Sequence, residues 1–178
     1  LLVAIMGYFC AVQLKASDER IVGDFLCGLF HDLPEVLTRD IISPVKRSVE
    51  GLEELIKKIE ERQIAEKILP LLPYSWHRDI IYYTQNEFAD KVVINGEVTL
   101  TTPEKINTEY NTGGYRPIDG SMLKGCDNLA AFVEAWLSRR YGITSKHLEE
   151  AEQALREQYE GKIVGGINFG DIYKEFPA

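Results

Sequence analysis

Cysteine, histidine and basic residues are scarce in this 178-residue sequence, and each shortage removes a class of protein. Cys10, Cys27 and Cys126 are far apart and odd in number, and no C-x-x-C occurs. This favours reduced, buried thiols in a cytoplasmic setting over a disulfide framework. Lys and Arg number 20 against 28 Asp and Glu, for a net charge of −8. Neutralising a nucleic-acid backbone needs the opposite balance. A single small phosphate is still compatible, because a metal and two or three cations can hold it. Long hydrophobic runs are missing too. The apolar stretch to Leu14 is too short for a bilayer and lacks the basic flank of a signal peptide, so no membrane association is expected. There is no internal repeat and no low-complexity segment.

What is present is ordinary for a globular chain, with 45% hydrophobic and 27% charged residues, and the length fits one domain over residues 1–178 with a real core. Apolar periodicity predicts a mostly helical bundle. A largely buried helix covers residues 1 to about 15. It opens in mid-stripe without an N-cap, so it is expected to continue upstream of Leu1. Ser17 and Asp18 are N-cap candidates for a second helix that turns Ile21, Val22, Phe25 and Leu29 inward and ends near His31. Ser43-Pro44 opens a third helix, Val45 to Arg62, with an apolar stripe of Val49, Leu52, Ile56 and Ile59; Glu53, Glu54, Lys57, Lys58, Glu60 and Glu61 read as its solvated face. Short helices follow over Ile64–Leu69 and Trp76–Gln85, the latter with Ile80, Ile81 and Tyr83 inward. Asn95-Gly96 between β-branched residues predicts a type I′ hairpin over 91–100. Residues 101–120 read as a long loop whose tip, Tyr110–Arg116, is either a lid or plain surface. Ser121–Tyr141 is a strong helix with Met122, Cys126, Leu129, Val133, Trp136 and Leu137 on its apolar side. Ser145–Tyr159 is amphipathic, with Glu149, Glu150, Glu152, Arg156 and Glu157 facing solvent. The tail from Gly161 is irregular, with Ile172, Tyr173 and Phe176 tucking back.

The most informative stretch is Phe30-His31-Asp32-Leu33-Pro34-Glu35-Val36-Leu37-Thr38-Arg39-Asp40. Adjacent His31 and Asp32 offer a nitrogen and an oxygen to one cation. Glu35 follows them by four and three residues, which returns its carboxylate to their side if the turn stays helical. A His-Asp pair by itself is common and structural. His77 is a second candidate ligand, and Asp79, Glu87 and Asp90 are weaker ones.

The longer string His31-Asp32-x-x-Glu35-Val36-Leu37-Thr38-x-Asp40, followed by Pro44-Val45-Lys46, resembles the HD-domain metal-dependent phosphohydrolases, nearest the branch containing bacterial 5'-deoxynucleotidases. The resemblance covers about the first fifty residues and returns at Lys124–Ala130. It implies an all-α HD-domain bundle, here with a β-hairpin and loop insertion over about 91–120. It also implies one divalent metal (Mn, Co, Fe, Ni, Zn or Mg) held by His31, Asp32 and Asp127. Asp127 has a second reading, as an N-terminal helix acid favoured by the dipole. The family's first histidine falls, by its spacing, just before Leu1. The resemblance gives Glu35 the role of positioning or deprotonating the attacking water or protonating the leaving group. Asp40 corresponds to a further acid, and Lys46 and Arg39 are cations for phosphate. Each of these has a plain alternative as a helix acid, a turn cap or a surface charge.

Two functional classes are compatible. The first is a phosphomonoesterase acting on a nucleotide, 5'-nucleotidase-like, through a metal-activated water, with phosphodiester cleavage of a cyclic or signalling nucleotide as a variant. The second is a non-catalytic binding or regulatory module on the same scaffold. A nucleic-acid polymer is not an expected partner; a homodimer is plausible from the hairpin edge and Trp76.

Overall fold

The computed structural model describes residues 1–38, 50–143 and 145–177. In chain order the elements are α1 (Leu2–Gln13), α2 (Asp18–Phe30), α3 (Glu35–Thr38), α4 (Leu52–Gln63), α5 (His77–Thr84), β1 (Lys91–Ile94), β2 (Glu97–Leu100), α6 (Pro103–Thr108), α7 (Gly120–Arg140), α8 (Lys146–Tyr159), β3 (Ile163–Val164), β4 (Ile167–Asn168) and α9 (Phe169–Lys174). The architecture is the all-α one expected, with small antiparallel hairpins added. The chain divides into two compact units, Leu1–Gly28 with Phe88–Ala178, and Leu29–Glu87. No helix among the described residues is long and apolar enough to cross a membrane.

In the first unit α1 buries one stripe, Val3, Ala4, Gly7, Cys10 and Ala11. The expectation of a largely buried helix is corrected: Leu2, Ile5, Tyr8, Phe9 and Val12 on its other sides are exposed. A helix apolar all round can give only part of its circumference to its neighbours. The Cys10 and Cys126 sulfurs lie 3.9 Å apart. All three cysteines are buried thiols outside any disulfide, as their spacing predicts. The contact with Cys126 lowers the Cys10 thiol pKa, and the contact with Cys10 raises that of Cys126.

α2 overturns its predicted face. Its buried side is Arg20, Gly23, Asp24, Cys27 and Gly28, while Val22 and Leu29 are exposed. The small residues let α1 approach: a Cβ on Gly28 would stand 3.0 Å from the Ala4 Cα. The charged residues are held by long-range partners. Arg20 donates from Nε to Asp119 Oδ2 at 2.6 Å and from Nη2 to Asp119 Oδ1 at 2.9 Å and to Asn107 Oδ1 at 2.7 Å. The Asp119 N–H donates to Asp24 Oδ1 at 2.8 Å. Asp119 sits at the N-cap of α7 without a side-chain capping bond, because its carboxylate is taken by Arg20.

The predicted hairpin forms with Ile94 paired to Glu97, and Asn95 and Gly96 at φ 52° and 86° as a type I′ turn requires. It is anchored by Val92, fully buried, and by a third segment: Lys91 exchanges backbone hydrogen bonds with Ile118, and the Val93 N–H donates to the Tyr115 carbonyl. The long loop of the sequence reading is partly corrected. Residues Pro103–Thr108 form α6, with Thr102 as N-cap and proline opening the helix. The loop tip is tied down in this conformation, with Asn111 bonded to Ser17 N–H and the Lys15 carbonyl and Gly114 N–H bonded to Glu19. Gly120 opens α7 where only glycine fits: a Cβ there would lie 2.3 Å from backbone carbons of Phe88 and Ala89.

On α8, Glu152 faces inward rather than to solvent. It is 3% exposed and accepts from Arg139 Nη1 at 2.7 Å and Arg156 Nη2 at 3.2 Å. The tail also has more order than its composition suggests, forming the β3–β4 hairpin and α9. Tyr173 and Phe176 pack on the Phe132 ring at centroid distances of 4.7 and 5.3 Å.

The second unit is built on Ile64, Leu69 and Ile80, with Phe30, Leu33, Ile68, Leu72 and Ile81 packed around them. The helix predicted over Val45–Arg62 is not continuous. Glu50 and Gly51 form a turn, with Gly51 at φ 78°, and the described helix starts at Leu52; the predicted start at Ser43-Pro44 lies outside the described residues. Ile64–Ile68 is a single π-helical turn leading to a 3₁₀ turn over Leu69–Leu71, where Pro70 withholds an N–H from a regular helix.

Candidate active site

The His31–Pro34 segment is a turn. Pro34 has no N–H to continue α2, and the backbone closes by short-range bonds, Leu33 N–H to Phe30 O at 2.9 Å and Glu35 N–H to Asp32 O at 3.0 Å. This curl puts His31 indoors and Asp32 outdoors: their side chains are 7% and 72% exposed, yet His31 Nε2 lies 3.1 Å from Asp32 Oδ1. α3 then begins with Glu35, and its far end is tied to α4 by Thr38 Oγ1 donating to Glu60 Oε1 at 2.9 Å.

His31 and Glu35 line a cavity of about 190 Å³ within the second unit. Ile56, Ile64, Leu69 and Ile81 form its apolar wall. Glu53, Lys57, Glu60 and Glu61 of α4 and Glu87 also line it. Glu53, Lys57 and Glu61 are exposed, in keeping with the solvated face read from the sequence, and Glu60 is half-buried; that they also border a cavity was not anticipated. The overlooked signal was their spacing: Glu53, Ile56, Lys57, Glu60, Glu61 and Ile64 recur at 3, 4, 7, 8 and 11, one helical stripe that mixes charge with isoleucine.

Asp127 lies on α7 in the first unit, its side chain 30% exposed, with Lys124 Nζ 2.8 Å from Oδ2. Lys124 in turn stands over the Phe88 ring at 4.4 Å. Asp127 is the eighth residue of α7, about two turns in, whereas the dipole acts within the first turn. The helix-terminus reading of Asp127 therefore does not hold.

The remaining candidates divide. His77 Nε2 lies 3.2 Å from the Leu72 carbonyl and its ring packs on Tyr74, so it closes the turn before α5. Asp90 accepts from Ser121 N–H at 3.0 Å and Ser121 Oγ at 2.5 Å, securing the start of α7. Its carboxyl pKa is raised, chiefly by burial. Arg39, Asp40 and Lys46 lie outside the described residues.

The donor chemistry of the His31–Asp32 pair fits a divalent ion. The pair makes a direct contact of 3.1 Å, close to the roughly 3.0 Å between two ligands set at right angles about 2.1 Å from one ion, so both atoms can turn to one cation with little movement. Among the described residues no group of three His, Cys, Asp or Glu side chains converges on one metal position. The fit thus extends to one edge of a coordination shell.

The chain belongs to the HD domain family, whose profile matches residues 1–156. Among curated proteins it is 31% identical over 104 residues to a 5'-deoxynucleotidase of Photobacterium profundum, covering 57% of this chain and 52% of that one. It is 33% identical over 100 residues to a 5'-deoxynucleotidase of Shewanella oneidensis, covering 50% of each. It is also 25% identical over 135 residues to a histidine–tRNA ligase of Pyrobaculum islandicum, covering 71% of this chain and 30% of that one. The chain thus spans about half or less of the length of these relatives. No solved structure matches it.

Proposed function

We propose that this chain is a metal-dependent phosphohydrolase that removes the 5'-phosphate of a nucleotide. The observation that carries the reading is the His31 Nε2–Asp32 Oδ1 separation of 3.1 Å beside Glu35, within a chain of the HD domain family. The similarity to two 5'-deoxynucleotidases supports the choice of substrate.

His31 and Asp32 would hold the ion, and Asp127 is the further ligand that the family resemblance implies. A divalent ion bound there supplies Lewis acidity towards water and a phosphoryl oxygen. His31 presents its nitrogen from a buried ring, so its orientation is set by packing before any ligand arrives. Glu35 takes the proton of the attacking water and returns one to the departing nucleoside oxygen, a task suited to a carboxylate that borders the same cavity. Lys46 and Arg39 neutralise phosphate charge, and Asp40 serves as a further acid.

The test is phosphate release from deoxynucleoside monophosphates by purified protein with Mn or Co, with metal content measured in parallel. Turnover that disappears on chelation and in Glu35→Ala supports the reading. Folded protein that binds no metal and releases no phosphate would replace it with the non-catalytic binding module.

A further inference from the structure

We propose that the cavity beside Glu35 is a base pocket that selects nucleotides whose base carries an amino group, guanine above all, against thymine. The inference rests on the nucleotide reading above and adds to it the chemistry of recognition.

Charge comes first. Five glutamates and one lysine line the cavity, and Lys57 already donates to Asn86 Oδ1 at 2.7 Å. The phosphate belongs beside His31 and Glu35; beside Glu53, Glu60, Glu61 and Glu87 of the same lining it would meet an excess of like charge. A point cation fits no better, because no three acidic side chains among the described residues converge on one position. The same lining carries the apolar side chains of Ile56, Ile64, Leu69 and Ile81. An occupant with an apolar ring body and N–H donors along its edge satisfies both features, and a nucleobase is such a body. The volume of about 190 Å³ is below the roughly 300–1,000 Å³ typical of whole-ligand pockets, so it suits one part of a nucleotide.

The polar groups of the lining are biased towards accepting. Glu60 is held by Thr38 through Oε1 at 2.9 Å, which orients the carboxylate and leaves Oε2 for a ligand. Thr84 spends its hydroxyl proton on the Ile80 carbonyl at 2.8 Å, so towards the cavity it offers lone pairs. Guanine has N1–H and N2–H side by side, two adjacent donors for Glu60 Oε2 and a second acceptor of the lining. Adenine and cytosine each bring one amino group. Thymine brings a single N–H flanked by two carbonyl oxygens, which would face carboxylate lone pairs.

The experiment compares kcat/KM for the 5'-monophosphates of deoxyguanosine, deoxyadenosine, deoxycytidine and thymidine, in wild type and Glu60→Gln. Glutamine can still accept from Thr38 while exchanging one carboxylate oxygen for a donor. The wild type is expected to prefer deoxyguanosine monophosphate over thymidine monophosphate by roughly tenfold or more, the scale of one hydrogen bond to a charged acceptor. Glu60→Gln should shrink that ratio several-fold, whereas a purely structural role for Glu60 would lower all four values together. Equal kcat/KM for the four substrates, or a ratio unmoved by Glu60→Gln, overturns the proposal. Titration of deoxyguanosine and thymidine, followed by calorimetry without metal, separates this inference from the nucleotidase reading. If no monophosphate is hydrolysed, that reading fails, and tighter binding of deoxyguanosine than thymidine still supports the pocket while equal binding overturns it.

Discussion

Arg20 grips Asp119 with two parallel hydrogen bonds, 2.6 Å from Nε and 2.9 Å from Nη2, and neither side chain reaches water. A bidentate pair of this kind is charge-assisted and geometrically demanding. It joins the first turn of α2 to the N-cap of α7, the helix that carries Asp127.

Removing one partner strands a buried charge, which costs about 3–5 kcal/mol. Arg20→Met or Asp119→Leu alone should therefore lower the urea midpoint sharply. The double variant Arg20→Met/Asp119→Leu should recover a large part of the loss, because neither charge is then left over. Single variants that unfold like wild type would show that water reaches the pair.

Asp24 lies fully buried beside Asp119. Burial first, and the neighbouring Asp119 second, push its carboxyl well above the usual range, with Arg20 opposing. The folded state thus holds the proton more tightly than the unfolded chain does, where the carboxyl titrates near about 3.9. The stabilisation this confers is complete below the unfolded value and is lost as pH rises through the folded one. Asp24→Asn has no such proton to lose. Its stability relative to wild type should grow with pH between 4 and the raised value, read from urea midpoints at a series of pH values. Parallel curves for the two proteins would place Asp24 outside the titration.

Metal content and turnover should separate in the candidate site. His31→Ala and Asp127→Ala are each expected to lose bound metal and activity together, measured by elemental analysis and phosphate release. Glu35→Ala should keep its metal and lose roughly 10²–10⁴ in kcat, the range of a general acid–base contribution. Full activity in Glu35→Ala removes that residue from proton transfer.

Gly120→Ala places a methyl group 2.3 Å from the backbone of Phe88 and Ala89. Backbone cannot swing away as a flexible side chain can, so the cost should reach about 2–3 kcal/mol or more. A thermal melt of the variant checks this, and an unchanged midpoint would mean that the α7 start relaxes freely.

Much of the architecture was legible in local chemistry. Asn95-Gly96 between β-branched residues specified a type I′ turn because few other dipeptides tolerate two positive φ angles. Pro34 marked the end of α2, and the string from His31 to Asp40 carried the family. The helical face of α2 was not legible. Hydropathy placed Ile21, Val22, Phe25 and Leu29 inside, and the structure buries Arg20 and Asp24 instead. The polar stripe of α4 is solvent-exposed as its charge pattern indicates, with Glu60 half-buried, but that pattern did not show that the same stripe borders a cavity.

The sequence by itself determined most of the long helices and the 91–100 hairpin, which residues are chemically able to bind a cation, and the family to which the chain belongs. These depend on neighbours within a few positions, through capping, φ preference and motif spacing. Only the tertiary structure decided which charges are buried and which carboxylates border a cavity. Arg20 finds its partner 99 residues away, and burying a charge is favourable only when such a partner is already in place. No local pattern can report that condition.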